Sequence, residues 1–112
     1  MDVAMHLVQY LKGCLDRGLF FPGSNLFTLI AYCNADLASC FDRRLSLTGY
    51  CVFLGYALVA WKIKKQPTVS RSTTKAEYHS FGATVCELQW ITFLLQDLHI
   101  AVPTPIPLLC DN

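Results

Sequence analysis

Residues 45–61, LSLTGYCVFLGYALVAW, decide the fold, because an uncharged run of this kind can either cross a membrane or form two strands. A transmembrane helix needs about 20 predominantly apolar residues, whereas this run is shorter and contains Ser46, Thr48 and two glycines. Gly55 separates two short segments rich in aromatic and β-branched residues, which is the pattern of two strands joined by a turn. The run therefore favours a β-hairpin, and a small single-pass membrane protein is the third-ranked alternative.

The sequence on either side of this hairpin predicts an α/β fold. From residue 74 to residue 98 apolar side chains recur every three or four positions, as in a helix that buries one face. Apolar segments before the hairpin and at residues 108–112 indicate further strands. Three antiparallel strands, a crossover helix and a fourth strand parallel to the first would form a mixed sheet. The predicted elements are a helix at 2–12, strands at 26–35, 49–54, 57–63 and 108–112, and the long helix at 74–98, whose buried face would carry Phe81, Val85, Leu88, Ile91, Leu95 and Leu98.

Composition and charge distribution limit the classes of function. The chain has 112 residues, enough for one domain, and its 54% apolar and 15% charged residues exclude a disordered chain. Between residues 42 and 75 seven basic residues stand against one acidic residue, whereas the whole chain has a net charge of only +1. Such a cluster forms either a solvated loop surface or a surface that binds phosphates. The basic candidates for a nucleic-acid-binding surface are Arg43, Arg44, Lys64, Lys65 and Arg71.

The six cysteines form an even set, which in a short secreted chain would suggest disulfides. However, the sequence begins without a basic leader, and no two cysteines have the C-x-x-C spacing typical of thiolate metal sites. Most of them lie in apolar segments, where a free cysteine behaves as a small hydrophobic residue. We therefore expect reduced thiols and a reducing intracellular compartment, the cytoplasm or the nucleus.

Polar side chains are predicted to meet at one edge of the sheet. Asn34 lies near the end of the first strand, Glu77 in the first turn of the long helix, and Asp111 at the end of the last strand. Carboxylate oxygens bind Mg²⁺, and a pair of such ions can activate water for phosphodiester hydrolysis. Each residue also has a simpler explanation, because Thr74 to Glu77 forms a capping box, Asp36 is a turn residue and Asp111 is a solvated acid.

Several motifs occur together along the chain. The most specific is the string KKQPTVSRS at residues 64–72, and the others are YCNAD at 32–36, GYCVFLG at 49–55, AEY at 76–78 and CDN at 110–112. Together they resemble the ribonuclease H region of Ty1/copia-type retrotransposon polyproteins over nearly the whole chain. Residues 10–13 and 18–20 resemble the stretch that joins the reverse transcriptase to this region. The resemblance implies a helical connection remnant at residues 1–23 and a partial RNase H-like domain at residues 24–112, incomplete at its C-terminus.

The resemblance also implies a function, the hydrolysis of the RNA strand of RNA–DNA hybrids with Mg²⁺ as cofactor. Glu77 and Asp111 match the second and third acids of the family, whereas Asn34 replaces the first acid and leaves Asp36 as the candidate substitute ligand. We therefore expect an inactive descendant of this nuclease, with RNA–DNA hybrid or another nucleic acid and the rest of a reverse transcriptase polyprotein as partners. The alternative from another class is a non-catalytic nucleic-acid-binding module that uses the basic loop, and an active small nuclease is the enzyme variant.

Overall fold

The computed structural model describes residues 3–13, 18–37 and 44–110, which contain two helices and four strands. The elements are α1 (Val3–Gly13), β1 (Leu29–Asp36), β2 (Leu47–Leu54), β3 (Ala57–Lys65), α2 (Thr73–Asp97) and β4 (Leu108–Cys110). The strands form one sheet in the order β3-β2-β1-β4, in which β4 is parallel to β1 and the other neighbours are antiparallel. Because α2 connects β3 to β4, this is the mixed α/β sheet with a crossover helix that the sequence predicts.

The uncharged run that decides the fold forms β2, a tight turn and the first part of β3. Gly55 occupies the turn with a φ of 59°, in the left-handed region that favours glycine. The Asn25 side chain holds this turn, because its Nδ2 donates to the carbonyl oxygen of Leu54 at 2.7 Å and its Oδ1 accepts from the Tyr56 N–H at 3.0 Å. The hairpin prediction is confirmed, and no helix in the described residues is long and apolar enough to cross a bilayer.

Gly55→Ala is expected to lower the free energy of unfolding by about 2 kcal/mol. A left-handed conformation costs a residue with a Cβ about 1–2 kcal/mol, and the new Cβ would collide with Asn25 Oδ1 and the carbonyl oxygen of Leu26. Urea denaturation followed by circular dichroism measures the change. Gly82→Ala in α2 is the control, because a Cβ there meets nothing within 4 Å and alanine favours a helix by about 1 kcal/mol. An unchanged stability of Gly55→Ala would contradict the turn geometry.

One face of the sheet packs against α2. Along β1 the side chains alternate, so that Ala31 and Cys33 are buried under the helix while Tyr32 is exposed on the opposite face. The second half of α2 contributes Leu88, Ile91 and Leu95 to this core, as predicted from their spacing, whereas the predicted burial of Leu98 is wrong, because this residue caps the helix end and is 59% exposed. The buried cluster consists of Leu29, Ala31, Val52, Leu88, Ile91 and Leu95.

The first half of α2 buries small residues instead of the large ones that the spacing predicts. Ala76, Ser80 and Thr84 are buried, whereas Phe81 is 43% exposed. The Ser80 hydroxyl donates to the carbonyl oxygen of Asn34 at 2.8 Å, and the Thr84 hydroxyl donates to the carbonyl oxygen of Ser80 at 2.8 Å. These bonds satisfy the buried hydroxyls, and the small side chains let the helix approach β1 closely. The predicted burial of Phe81 is therefore wrong, because a pattern of apolar residues does not identify small hydroxyl residues as buried.

The start of α2 also differs from the prediction. The N-cap is Ser72, whose hydroxyl oxygen accepts a hydrogen bond from the Lys75 N–H at 3.2 Å. The helix begins at Thr73, so that Glu77 lies in its second turn rather than its first. The capping box predicted between Thr74 and Glu77 is therefore wrong, and the Glu77 carboxylate is not needed to cap the helix.

Candidate functional site

The beginning of α2 meets the ends of β1 and β4 at one edge of the sheet, here called the acidic edge and defined by Glu77, Cys110 and the backbone of Asn34. The hydrogen bond from Ser80 to the Asn34 carbonyl fixes the helix against β1. Glu77 and Cys110 line the same cavity of about 280 Å³. The structure therefore brings Glu77 to the last described residue of β4, the residue that precedes Asp111 in the chain.

Two of the predicted ligands, Asn34 and Asp36, do not lie on the same side of the sheet as Glu77. Asn34 and Asp36 are exposed residues that alternate with the buried Cys33, so they project to the face that α2 leaves open. Among residues 3–13, 18–37 and 44–110 no three His, Cys, Asp or Glu side chains are close enough to hold a metal ion. Asp111 and Arg43, which were predicted as an acid and a basic contact, lie outside the described residues.

The open face of the sheet is apolar and aromatic. It contains a shallow cavity of about 630 Å³ to which Tyr32, Asn34, Trp61 and Leu109 contribute. Tyr32 packs edge-to-face against Phe53, with ring centroids 6.0 Å apart. Trp61 is 59% exposed and has no covering element among the described helices and strands. Asn34 therefore borders an aromatic surface instead of a cluster of carboxylates.

Two thiols are in contact beneath the acidic edge. Cys33 and Cys110 occupy paired positions on β1 and β4, and their Sγ atoms are 2.6 Å apart. Desolvation of the sulfur raises the pKa of the Cys110 thiol to about 11, and the hydrogen bond with Cys33 and the negative charge of Glu77 act in the same direction. Cys110 is therefore protonated at neutral pH.

The basic residues divide between the two faces of β3. Lys62 and Lys64 line a groove of about 370 Å³ between β3 and α2, together with His79 and Glu87. Lys65 follows Lys64 on the strand and therefore projects to the opposite, open face. This groove, called the β3–α2 groove below, is the place where basic side chains converge, and Lys64 and Lys65 do not belong to one surface.

The remaining described basic candidates lie in connecting segments. Arg44 precedes β2 and has a φ of 55°, and Arg71 lies in the loop between β3 and α2. Both side chains are exposed. They are accessible to a ligand, but neither lines the β3–α2 groove.

A buried polar network holds the loop between β3 and α2, and the sequence interpretation missed it. Gln66 is 3% exposed. Its Nε2 donates to Thr48 Oγ1 at 3.1 Å and to the Ala76 carbonyl oxygen at 2.9 Å, and its Oε1 accepts from Ser70 Oγ at 3.2 Å. Gln66 thus ties β2, α2 and its own loop together behind the β3–α2 groove. The signal in the sequence is the string KKQPTVSRS, whose basic residues predict either a solvated loop surface or a phosphate-binding surface but do not indicate a buried glutamine.

Comparisons with known proteins identify relatives over most of the chain. It is 43% identical over 106 residues to the retrovirus-related Pol polyprotein from transposon RE2 of Arabidopsis thaliana. This match covers 95% of the chain and 7% of that polyprotein. It is 42% identical over 112 residues to the corresponding polyprotein from transposon RE1 of the same plant, and this match covers 100% of the chain and 8% of the relative. With the polyprotein from transposon TNT 1-94 of Nicotiana tabacum it shares 37% identity over 92 residues, 82% of the chain and 7% of the relative. The chain thus spans less than a tenth of these relatives' length. No family model and no solved structure matches it.

Proposed function

Because the chain is related to the Pol polyproteins of copia-type retrotransposons, we propose that it is a ribonuclease H-like unit that binds RNA–DNA hybrids without cleaving them. The observation that carries the proposal is the β3–α2 groove, which is lined by Lys62 and Lys64 of β3 and by Gln66, whose hydrogen bonds tie the loop after β3 to β2 and α2. Ammonium groups from alternate residues of one strand project to the same face and can neutralise neighbouring phosphates of a nucleic-acid backbone. The rest of a Pol polyprotein is the proposed second partner.

The described donor set does not fit the pair of Mg²⁺ ions that the family resemblance implies. Such a pair needs several carboxylates converging on one point. At the acidic edge the described carboxylate is Glu77, while position 34 carries a neutral amide and projects, like Asp36, to the other face of the sheet. The proposed role is therefore binding without cleavage.

A direct test measures binding and cleavage on the same substrate. Fluorescence anisotropy with a labelled RNA–DNA hybrid is expected to show binding in EDTA that weakens steeply with salt, because released counterions drive it. Gel analysis of the same mixtures with Mg²⁺ is expected to show uncut RNA. Binding that requires Mg²⁺, or RNA cleavage that appears with Mg²⁺, would contradict the proposal.

Nuclease activity is the second candidate function, favoured by the position of Glu77 beside the end of β4. Asn34→Asp is expected to leave Mg²⁺-dependent cleavage at the level of the metal-free blank, because the new carboxylate projects to the face opposite Glu77. A labelled hybrid incubated with Mg²⁺ measures this. Asp36→Asn is the matched control for charge on the same face. If the parent cleaves the RNA and Asp36→Asn abolishes that cleavage, the result would instead identify Asp36 as the substitute ligand.

A further inference from the structure

Two cysteines face each other where β1 meets β4. Cys33 and Cys110 are directly paired in the parallel register, so their side chains project to the same face of the sheet. Neighbouring strands lie about 4.8 Å apart, within the range of about 4.4–6.8 Å that a disulfide requires between its Cα atoms. Both are free cysteines, and their sulfurs are in contact at 2.6 Å.

We propose that Cys33 and Cys110 form a reversible disulfide that fastens β4 to β1. β4 is the weakest part of the sheet, because it has three residues and pairs only with β1, at three register positions. A covalent bond at Cys110 would hold the described end of β4 against β1. This modification is independent of nucleic-acid binding.

The reaction needs a disulfide as oxidant, and glutathione disulfide belongs to this class. Cys110 is exposed and Cys33 is buried, so the oxidant reaches Cys110 first, and the raised pKa of this thiol makes its attack slow at neutral pH and faster as the pH rises. Its thiol loses a proton, its sulfur attacks one sulfur of the oxidant, and one glutathione leaves as a thiol after taking up that proton. The Cys33 sulfur then loses its proton and attacks Cys110 Sγ, which releases the second glutathione. In total two protein thiols lose two electrons and two protons, and one glutathione disulfide becomes two thiols.

The other described cysteines are placed where they cannot compete. Cys51 pairs with Tyr32 in the register of β1 and β2, so it lies on the open face, opposite Cys33. Cys86 is an exposed residue of α2 and lines the β3–α2 groove. Among the four cysteines that the structure describes, the fold therefore brings one pair together, and an unfolded chain would not favour that pair.

Peptide mapping of the folded chain tests the proposal. The protein is incubated with glutathione disulfide, its remaining thiols are alkylated, and it is digested with trypsin and a protease that cleaves before aspartate. This gives fragments 18–35 and 97–110, each with one cysteine. The expected result is that these two fragments are linked in most molecules and that dithiothreitol separates them. A urea-unfolded sample treated in the same way is the control and is expected to give mixed pairings.

Thermal unfolding provides the second measurement. The disulfide closes a loop with a sequence separation of 77 residues, so oxidation is expected to raise the midpoint by about 10 °C. Cys110→Ser is expected to show no rise with the oxidant, and Cys86→Ser is expected to behave like the parent. Absence of the 18–35 to 97–110 link in the folded parent, a dominant link to another cysteine, or a link without a rise in the midpoint would each overturn the proposal.

Discussion

Gln66→Ala is expected to lower the free energy of unfolding by about 3 kcal/mol, because each buried hydrogen bond that is lost costs about 1 kcal/mol and leaves a desolvated partner. The substitution removes the Gln66 bonds to Thr48 Oγ1, to the Ala76 carbonyl and from Ser70. These partners are all buried, so water cannot replace the lost side chain without entering the core. Equilibrium urea denaturation, followed by circular dichroism, measures the loss.

Two variants distinguish the contribution of the Gln66 hydrogen bonds to stability from that of the rest of the loop. Thr68→Ala changes an exposed residue of the same loop and is expected to alter stability by less than about 0.5 kcal/mol. Gln66→Glu keeps an acceptor for Ser70 but loses the amide donor, and it places a carboxylate in a buried site, so it is expected to be as harmful as alanine. A loss below about 1 kcal/mol for Gln66→Ala would mean that the loop is not held by this side chain.

The strands could be predicted because their signal is local. Gly55 between two apolar runs specifies the hairpin, and the structure confirms both strands and the crossover helix that follows. The face of the helix could be predicted only where large apolar residues define it. At Ser80 and Thr84 the buried face depends on hydroxyls that find backbone acceptors across the helix–sheet interface, which is tertiary information.

The candidate site was harder to predict because it depends on which face each side chain occupies. Asn34, Glu77 and Asp111 were grouped by their positions at the ends of elements, but the pleat of β1 sends the Asn34 side chain away from α2. The same period of two separates Lys64 from Lys65, although they are adjacent in a basic run. Cys33 and Cys110 show the opposite case, because residues far apart in the sequence meet through a parallel pairing that no local pattern encodes.

Lys62 and Lys64 lie on one face of β3 and Lys65 on the other, so the binding proposal predicts that only the first two contact phosphates. Lys62→Ala/Lys64→Ala is expected to weaken binding of an RNA–DNA hybrid by about 10- to 100-fold at low salt, because two phosphate contacts are lost together. The slope of the logarithm of affinity against the logarithm of salt concentration is expected to fall in magnitude by about 2, close to 0.9 for each contact. Anisotropy titrations across a series of salt concentrations measure both quantities.

The control is Lys12→Ala/Lys65→Ala, which removes the same charge from an exposed position on α1 and from the open-face side of β3. If only the net charge mattered, the two double variants would lose the same affinity and the same slope. If phosphates lie along the β3–α2 groove, the control keeps the parent's slope, since Lys62 and Lys64 are intact and converge there with His79. Equal salt slopes for the two double variants would therefore reject the groove as the binding surface, even if the chain binds hybrids tightly.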